Sequence, residues 1–142
     1  MVKKVLVLSD KNVARSQMAE KWLNYYGKRH IEVWSAGLEK GSIQVLAQKA
    51  MAEAIMDIPE YKSKALDELN QNTFDFVLCF DKEVENKVPV LNGNPKILLF
   101  ELPDPANVEG EENVRLQAYN AVCNAVDDIC FSFVQDNFQI VE

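Results

Sequence analysis

The sequence predicts an α/β fold in which helices cover a four-stranded parallel sheet. Short apolar runs rich in β-branched residues alternate with longer amphipathic stretches, which is the pattern of successive βαβ units. The chain has 142 residues, 48% of them apolar, which is enough to fill one hydrophobic core. Because no repeat, low-complexity tract or linker interrupts the pattern, residues 1–142 are expected to form a single domain.

The first half of the chain predicts two strands and two helices. Residues 5–8 are continuously apolar, as in a strand buried on both faces at the centre of a sheet. Residues 16–26 carry apolar side chains three and four positions apart, which predicts a helix, and Gly27 follows at the position of a C-cap glycine. Residues 31–34 then predict a second strand, and residues 43–54 predict a second helix.

The second half of the chain supplies the remaining elements. A short helical turn is predicted at 66–70 and strands at 74–80 and 96–100. The closing helix has the clearest pattern, an apolar stripe formed by Leu116, Tyr119, Cys123, Val126, Cys130 and Phe133. Free cysteines on such a stripe behave as small apolar residues, so the two cysteines of this helix are predicted to fill the core.

Composition excludes several functions. Fifteen basic residues against 22 acidic ones give a net charge of −7, so no basic face for nucleic acid is expected. The N-terminal apolar run is far too short for a signal peptide or a membrane span, so we expect a cytoplasmic protein with no membrane contact. Three cysteines without a C-x-x-C pair, and a single histidine, suggest neither a metal site nor a disulfide framework. No cofactor is expected.

Residues 9–16 form the most informative segment, because they join a buried strand to a helix. The segment reads Ser9, Asp10, Lys11, Asn12, Val13, Ala14, Arg15 and Ser16. At such a junction, backbone N–H groups and the helix dipole attract an anion, and an arginine can donate to two oxygens at once. The loop could therefore bind a tetrahedral oxyanion. Taken alone, it is equally typical of a solvated turn with a surface arginine.

Further motifs make the chain resemble the low-molecular-weight tyrosine phosphatase and arsenate reductase family. That family's loop reads Cys-x-Gly-Asn-x-Cys-Arg-Ser and leads into a helix of the Gln-Met-Ala-Glu type. Residues 15–20 match this helix residue for residue, and Asn12 falls on the loop asparagine. Residues 34–38, Trp-Ser-Ala-Gly-Leu, and residues 103–105, Pro-Asp-Pro, match later segments. The resemblance implies a three-layer, doubly wound, phosphotyrosine protein phosphatase I-like fold that binds its ligand at the carboxyl ends of the strands.

The resemblance also implies a role for three residues. Arg15 would hold the oxyanion and Asp104 would act as general acid, whereas Ser9 stands where the family has its nucleophilic cysteine. A loop of this kind can ionise a thiol, but serine attacks only with an adjacent general base. No histidine is placed beside Ser9 in the sequence, and Lys11 is a conceivable base within the loop itself. Catalysis is therefore predicted to be impaired or absent.

Other loop positions depart from the family motif as well. Asp10 adds a negative charge, Lys11 replaces a glycine, and Ala14 replaces a second cysteine. Several departures in one loop indicate natural change rather than a single engineered substitution at position 9.

Cys79 resembles the first of the two resolving cysteines that the arsenate reductases use. No second thiol follows it before Pro89. A disulfide relay needs an attacking thiolate and a partner, so Cys79 alone cannot run one. It is either a redox remnant or, in the favoured interpretation, a core residue at the end of a strand.

Three functional hypotheses follow. The favoured one is a phosphatase- or reductase-like protein that binds phosphate, sulfate, an arsenate-like anion or a phosphorylated ligand without efficient turnover. The second is an active phosphatase or arsenate reductase with an altered nucleophile. The third is a protein-interaction scaffold whose loop no longer binds anions because Asp10 opposes them. The sequence identifies no protein partner.

Overall fold

The computed structural model describes residues 2–11, 14–39, 41, 44–54, 64–69 and 72–138. Its strands are Lys3–Ser9 (β1), Ile31–Gly37 (β2), Phe76–Cys79 (β3) and Lys96–Leu99 (β4). They form one parallel sheet in the order β2-β1-β3-β4. The predicted four-stranded parallel sheet is thus confirmed. Residues 5–8 of β1 lie in its interior, and their side chains are completely buried, as predicted.

Helices cover both faces of this sheet. The α-helices are Arg15–Gly27 (α1), Val45–Glu53 (α2), Lys82–Asn86 (α3) and Glu112–Phe138 (α4). Successive side chains of β1 point to opposite faces, so Val5 and Val7 pack with α1, α2 and α4, whereas Leu6 and Leu8 pack in a second cluster that includes Val84 of α3. These two apolar clusters confirm the three-layer, doubly wound arrangement.

The stripe predicted for the closing helix is the face that α4 buries. Tyr119, Cys123, Val126, Cys130 and Phe133 are all buried there, and Leu116 packs partly against the same cluster. The Cys123 Sγ atom lies 3.3 Å from the Met51 Sδ atom, and the Cys130 thiol donates to the Ala19 carbonyl at 3.8 Å. Both cysteines therefore fill the core.

The predicted role of Gly27 is wrong. Gly27 is the last residue of α1 and has helical angles, with φ of −83°, whereas Lys28 takes the positive φ of 50° that ends the helix. A Cβ atom on Gly27 would lie 2.3 Å from the side chain of Ile31. The glycine is therefore used for the close approach of α1 to the start of β2, and not for the turn.

Several boundaries differ from the predicted ones. β2 runs three residues further than predicted, since Ser35, Ala36 and Gly37 pair with the end of β1. β3 and β4 are shorter, and the predicted ends at residues 43 and 70 lie outside the described residues. The short helix α3 and the 3-10 helix Pro105–Asn107 were not predicted. Elements of three to five residues carry too little periodicity to be recognised.

Candidate anion-binding site

The carboxyl ends of the strands bring the predicted site residues together. In a parallel sheet these ends share one edge, and here Ser9 ends β1, Arg15 begins α1, Asp81 follows β3 and Asp104 follows β4. A cavity of about 230 Å³ lies at this edge. It is lined by Ser9, Asp10, Lys11, Ala14, Arg15, Gln44 and Asp104. Of the predicted loop residues, Asn12 and Val13 lie outside the described residues.

The backbone holds the start of the loop in place. The Leu38 N–H donates to the Ser9 carbonyl at 2.9 Å, and the Glu39 N–H donates to the Asp10 carbonyl at 3.0 Å. The pairing of β2 with β1 thus continues past the end of both strands. At the other end of the loop, the Met18 N–H donates to the Ala14 carbonyl at 2.9 Å and closes the first turn of α1.

Arg15 is held by two segments that follow the neighbouring strands. Its side chain is only 8% exposed. Nη1 and Nη2 donate to the two carboxylate oxygens of Asp81 at 2.9 and 2.6 Å, and Nη1 also donates to the Leu102 carbonyl at 2.7 Å. The Asp104 Oδ2 atom lies 3.8 Å from Nη2. A nearly buried guanidinium needs such partners, and the bidentate pair fixes its orientation.

The described hydrogen bonds of Arg15 do not use all of its N–H donors. Arginine has five N–H donors, and three of them are used in the described contacts of Arg15. Among the described residues, Nε–H and one Nη2–H make no hydrogen bond, and they form a pair of donors that can meet two oxygens of a phosphate-type anion. Asp81 therefore orients Arg15 without using up its capacity to bind an anion.

Ser9 has no histidine beside it. Its hydroxyl lies 2.8 Å from the hydroxyl of the fully buried Ser16. The chain's single histidine, His30, precedes β2 and thus lies at the opposite edge of the sheet. Lys11, the other base considered, is half exposed, and its Nζ atom lies 3.8 Å from Glu39. His30 is therefore too far from Ser9 to act as its general base.

Asp104 is oriented by the segment that follows it. Its Oδ1 atom accepts a hydrogen bond from the Ala106 N–H at 2.9 Å and caps the 3-10 helix Pro105–Asn107. The second oxygen, Oδ2, is the one that lies near Arg15. The carboxyl group thus faces the same cavity as the loop, where a general acid would have to be.

Cys79 lies in the core. Its side chain is completely buried at the end of β3. Burial raises the pKa of the thiol to about 12, with smaller contributions from the nearby carboxylates of Glu85 and Asp81. Only the thiolate attacks a disulfide or an oxyanion. Cys79 therefore has the properties of a core residue, the favoured interpretation, and not of a redox group.

We expect all three native thiols to resist chemical labelling. Cys79, Cys123 and Cys130 are free and buried, and burial raises the pKa of each, so all three stay neutral and covered at pH 8. Folded protein should therefore release almost no thionitrobenzoate from Ellman's reagent within minutes, whereas protein unfolded in guanidinium should release three equivalents. Rapid reaction of one thiol in the folded protein would show that a cysteine is accessible and would reopen a redox role.

The fold and the site define a class of protein. It is a parallel α/β protein that holds a buried, oriented arginine at the loop between its first strand and first helix. A model of the family "Low molecular weight phosphotyrosine protein phosphatase" matches residues 4–137. The chain belongs to this family.

Individual relatives agree with this assignment. An arsenate reductase from Oceanobacillus iheyensis is 31% identical over 129 residues, which cover 90% of this chain and 93% of the relative. A solved arsenate reductase in its oxidised state is 26% identical, with a TM-score of 0.79 over 94% of this chain and 98% of that one. The tyrosine phosphatase Wzb from Escherichia coli K30, solved with sulphate, is 16% identical, with a TM-score of 0.78 over 96% and 99%. The last of these likenesses concerns the fold alone.

The described residues contain neither a membrane-crossing helix nor a metal-binding group. Within them, no helix combines the length and apolar character needed to span a bilayer. In the same part of the chain, no three histidine, cysteine or acidic side chains come together in a way that could hold a metal ion.

Proposed function

We propose that this protein binds a phosphate-type oxyanion, or a phosphorylated ligand, in the loop of residues 9–16 and does not turn it over efficiently. Arg15 is the principal ligand, and the loop backbone and the start of α1 complete the site. Asp104 occupies the general-acid position, but the nucleophile position holds a hydroxyl group. The protein would act in the cytoplasm, where its free thiols remain reduced.

The observation that carries the binding half of this proposal is the environment of Arg15. A guanidinium that is nine-tenths buried, is oriented by a bidentate carboxylate, lines a cavity and keeps two donors outside its described hydrogen bonds is suited to receive an anion. The sulphate complex of the structural relative Wzb and the arsenate reductase activity named for the sequence relatives agree with a ligand of this class.

The observation that carries the other half is the chemistry at Ser9. A serine hydroxyl is not ionised at neutral pH and needs a general base, commonly histidine. The chain's single histidine, His30, lies at the opposite edge of the sheet. The hypothesis of an active enzyme with an altered nucleophile predicts instead that hydrolysis of an aryl phosphate is measurable and depends on Ser9 or Asp104.

Thermal unfolding in the presence of anions separates these hypotheses. A ligand that binds only the folded state raises its melting temperature, so phosphate, sulfate, arsenate and vanadate at millimolar concentration should each produce a rise of several degrees. Chloride at equal ionic strength is the control. If none of the four anions shifts the melting temperature, the loop has lost its anion affinity and the scaffold hypothesis replaces the proposed function.

A further inference from the structure

A second, larger cavity opens beside Arg15, and its walls are acidic. It measures about 740 Å³ and lies between the segments that follow β3 and β4. Its charged lining residues are acidic at five positions and basic at three, namely Asp10, Asp81, Glu83, Glu101 and Asp104 against Arg15, Lys82 and Lys87. The lining thus carries two more negative than positive charges, five against three, and this excess opposes a phosphate dianion.

The two outer carboxylates stand close to the partners of Arg15. Glu83 follows Asp81 by two residues, and Glu101 directly precedes Leu102, whose carbonyl accepts from Arg15. Consecutive Cα atoms are about 3.8 Å apart, so both glutamates lie within about 8 Å of a residue that contacts the guanidinium. In the described part of the chain neither glutamate forms an ion pair. Both are exposed to the cavity and available to a ligand.

We infer that the ligand of this cleft is a phosphate monoester whose organic part carries a protonated amine. The phosphoryl group lies against Arg15 and the loop, and the ammonium group lies toward the carboxylates of Glu83 and Glu101. Opposite charges on one ligand then meet opposite charges on the protein, which explains how a cavity that holds both Arg15 and an excess of carboxylates can serve one ligand. The inference rests on the proposed function, since it assumes that the loop binds the phosphoryl group.

Two ester pairs of matched size test the inference. The first pair is 2-aminoethyl phosphate and propyl phosphate, and the second is 4-aminobutyl phosphate and pentyl phosphate, so each pair exchanges an ammonium for a methyl group at two distances from phosphorus. Titration calorimetry at pH 8 keeps every phosphate doubly ionised and every amine protonated. We expect the amine to tighten binding about fivefold in at least one pair, which is the effect of one or two partly exposed carboxylates.

Matched variants assign the preference to the cavity wall. The double variant Glu83→Gln with Glu101→Gln should bring the preference below about twofold. It should also tighten binding of the amine-free esters, because it removes carboxylates that repel their phosphate dianion. The control, Glu32→Gln with Glu53→Gln, changes the net charge equally at two exposed positions outside the cavity and should retain the preference.

The outcomes separate the inference from the proposed function. Equal affinities within both pairs, or equal loss of the preference in the control variant, would overturn the inference while leaving anion binding intact. If inorganic phosphate and all four esters fail to bind, the proposed function itself is wrong and the inference goes with it.

Discussion

Replacing Arg15 by alanine is expected to abolish phosphate binding and to destabilise the fold by about 2 kcal/mol. The variant removes the principal anion ligand and leaves the Asp81 carboxylate and the Leu102 carbonyl without their donor. Breaking a buried ion pair costs about 3–5 kcal/mol, and the one-third exposure of Asp81 reduces that cost. Urea denaturation gives the stability, and calorimetry with inorganic phosphate gives the binding.

Two further variants separate loss of binding from loss of structure. Arg15→Ala combined with Asp81→Asn removes both partners of the ion pair, so it should recover part of the stability but none of the phosphate binding. Arg29→Ala removes an exposed arginine at the opposite edge of the sheet and should change neither property. Phosphate binding by the Arg15 variants at the affinity of the unmodified protein would show that Arg15 is not the principal ligand.

Replacing Ser9 by cysteine is expected to raise hydrolysis of an aryl phosphate well above the low or absent activity proposed for the unmodified protein. A thiol has an ordinary pKa near 8.5, and a helix N-terminus together with backbone N–H groups lowers it. The new thiol would lie beside Ser16, on the cavity that Arg15 and Asp104 also line. Release of 4-nitrophenol from 4-nitrophenyl phosphate measures the gain.

The gained activity has its own controls. Ser9→Ala has no nucleophile and should bind phosphate without turnover. Adding Asp104→Asn to Ser9→Cys should lower the gained rate on the order of 100-fold, the usual contribution of a general acid. If Ser9→Cys binds phosphate and remains inert, the missing thiol is not the main defect, and the changes at Asp10, Lys11 and Ala14 must also suppress catalysis.

Much of the fold could be predicted because its signals are local. A continuously apolar run is sufficient to place β1 at the centre of the sheet, and the stripe along α4 repeats over six positions. Gly27 shows where such reasoning fails. Its position after a helix is typical of a C-cap, but the decisive contact is with Ile31, and a contact between packed elements leaves no local signal in the sequence.

In the candidate site, too, local motifs could be recognised in the sequence and contacts between distant residues could not. The loop, Arg15 and Asp104 could be proposed as site residues because they belong to short motifs, whereas the contact of Asp81 with Arg15 was not predicted. Its one available signal was its position just after a buried strand, which places it at the carboxyl edge of the sheet. The bidentate contact with Arg15 joins residues 66 positions apart and requires the β1–β3 pairing, which the sequence pattern does not specify.

The most direct test of the central claim is a calorimetric titration of the unmodified protein with phenyl phosphate. The same experiment detects binding, as heat that saturates at one site, and turnover, as heat that continues after each injection. We predict saturating heat near a stoichiometry of one and a return to baseline after every injection. Sustained heat together with accumulation of phenol would contradict the account, because it would show that the serine-containing loop catalyses hydrolysis.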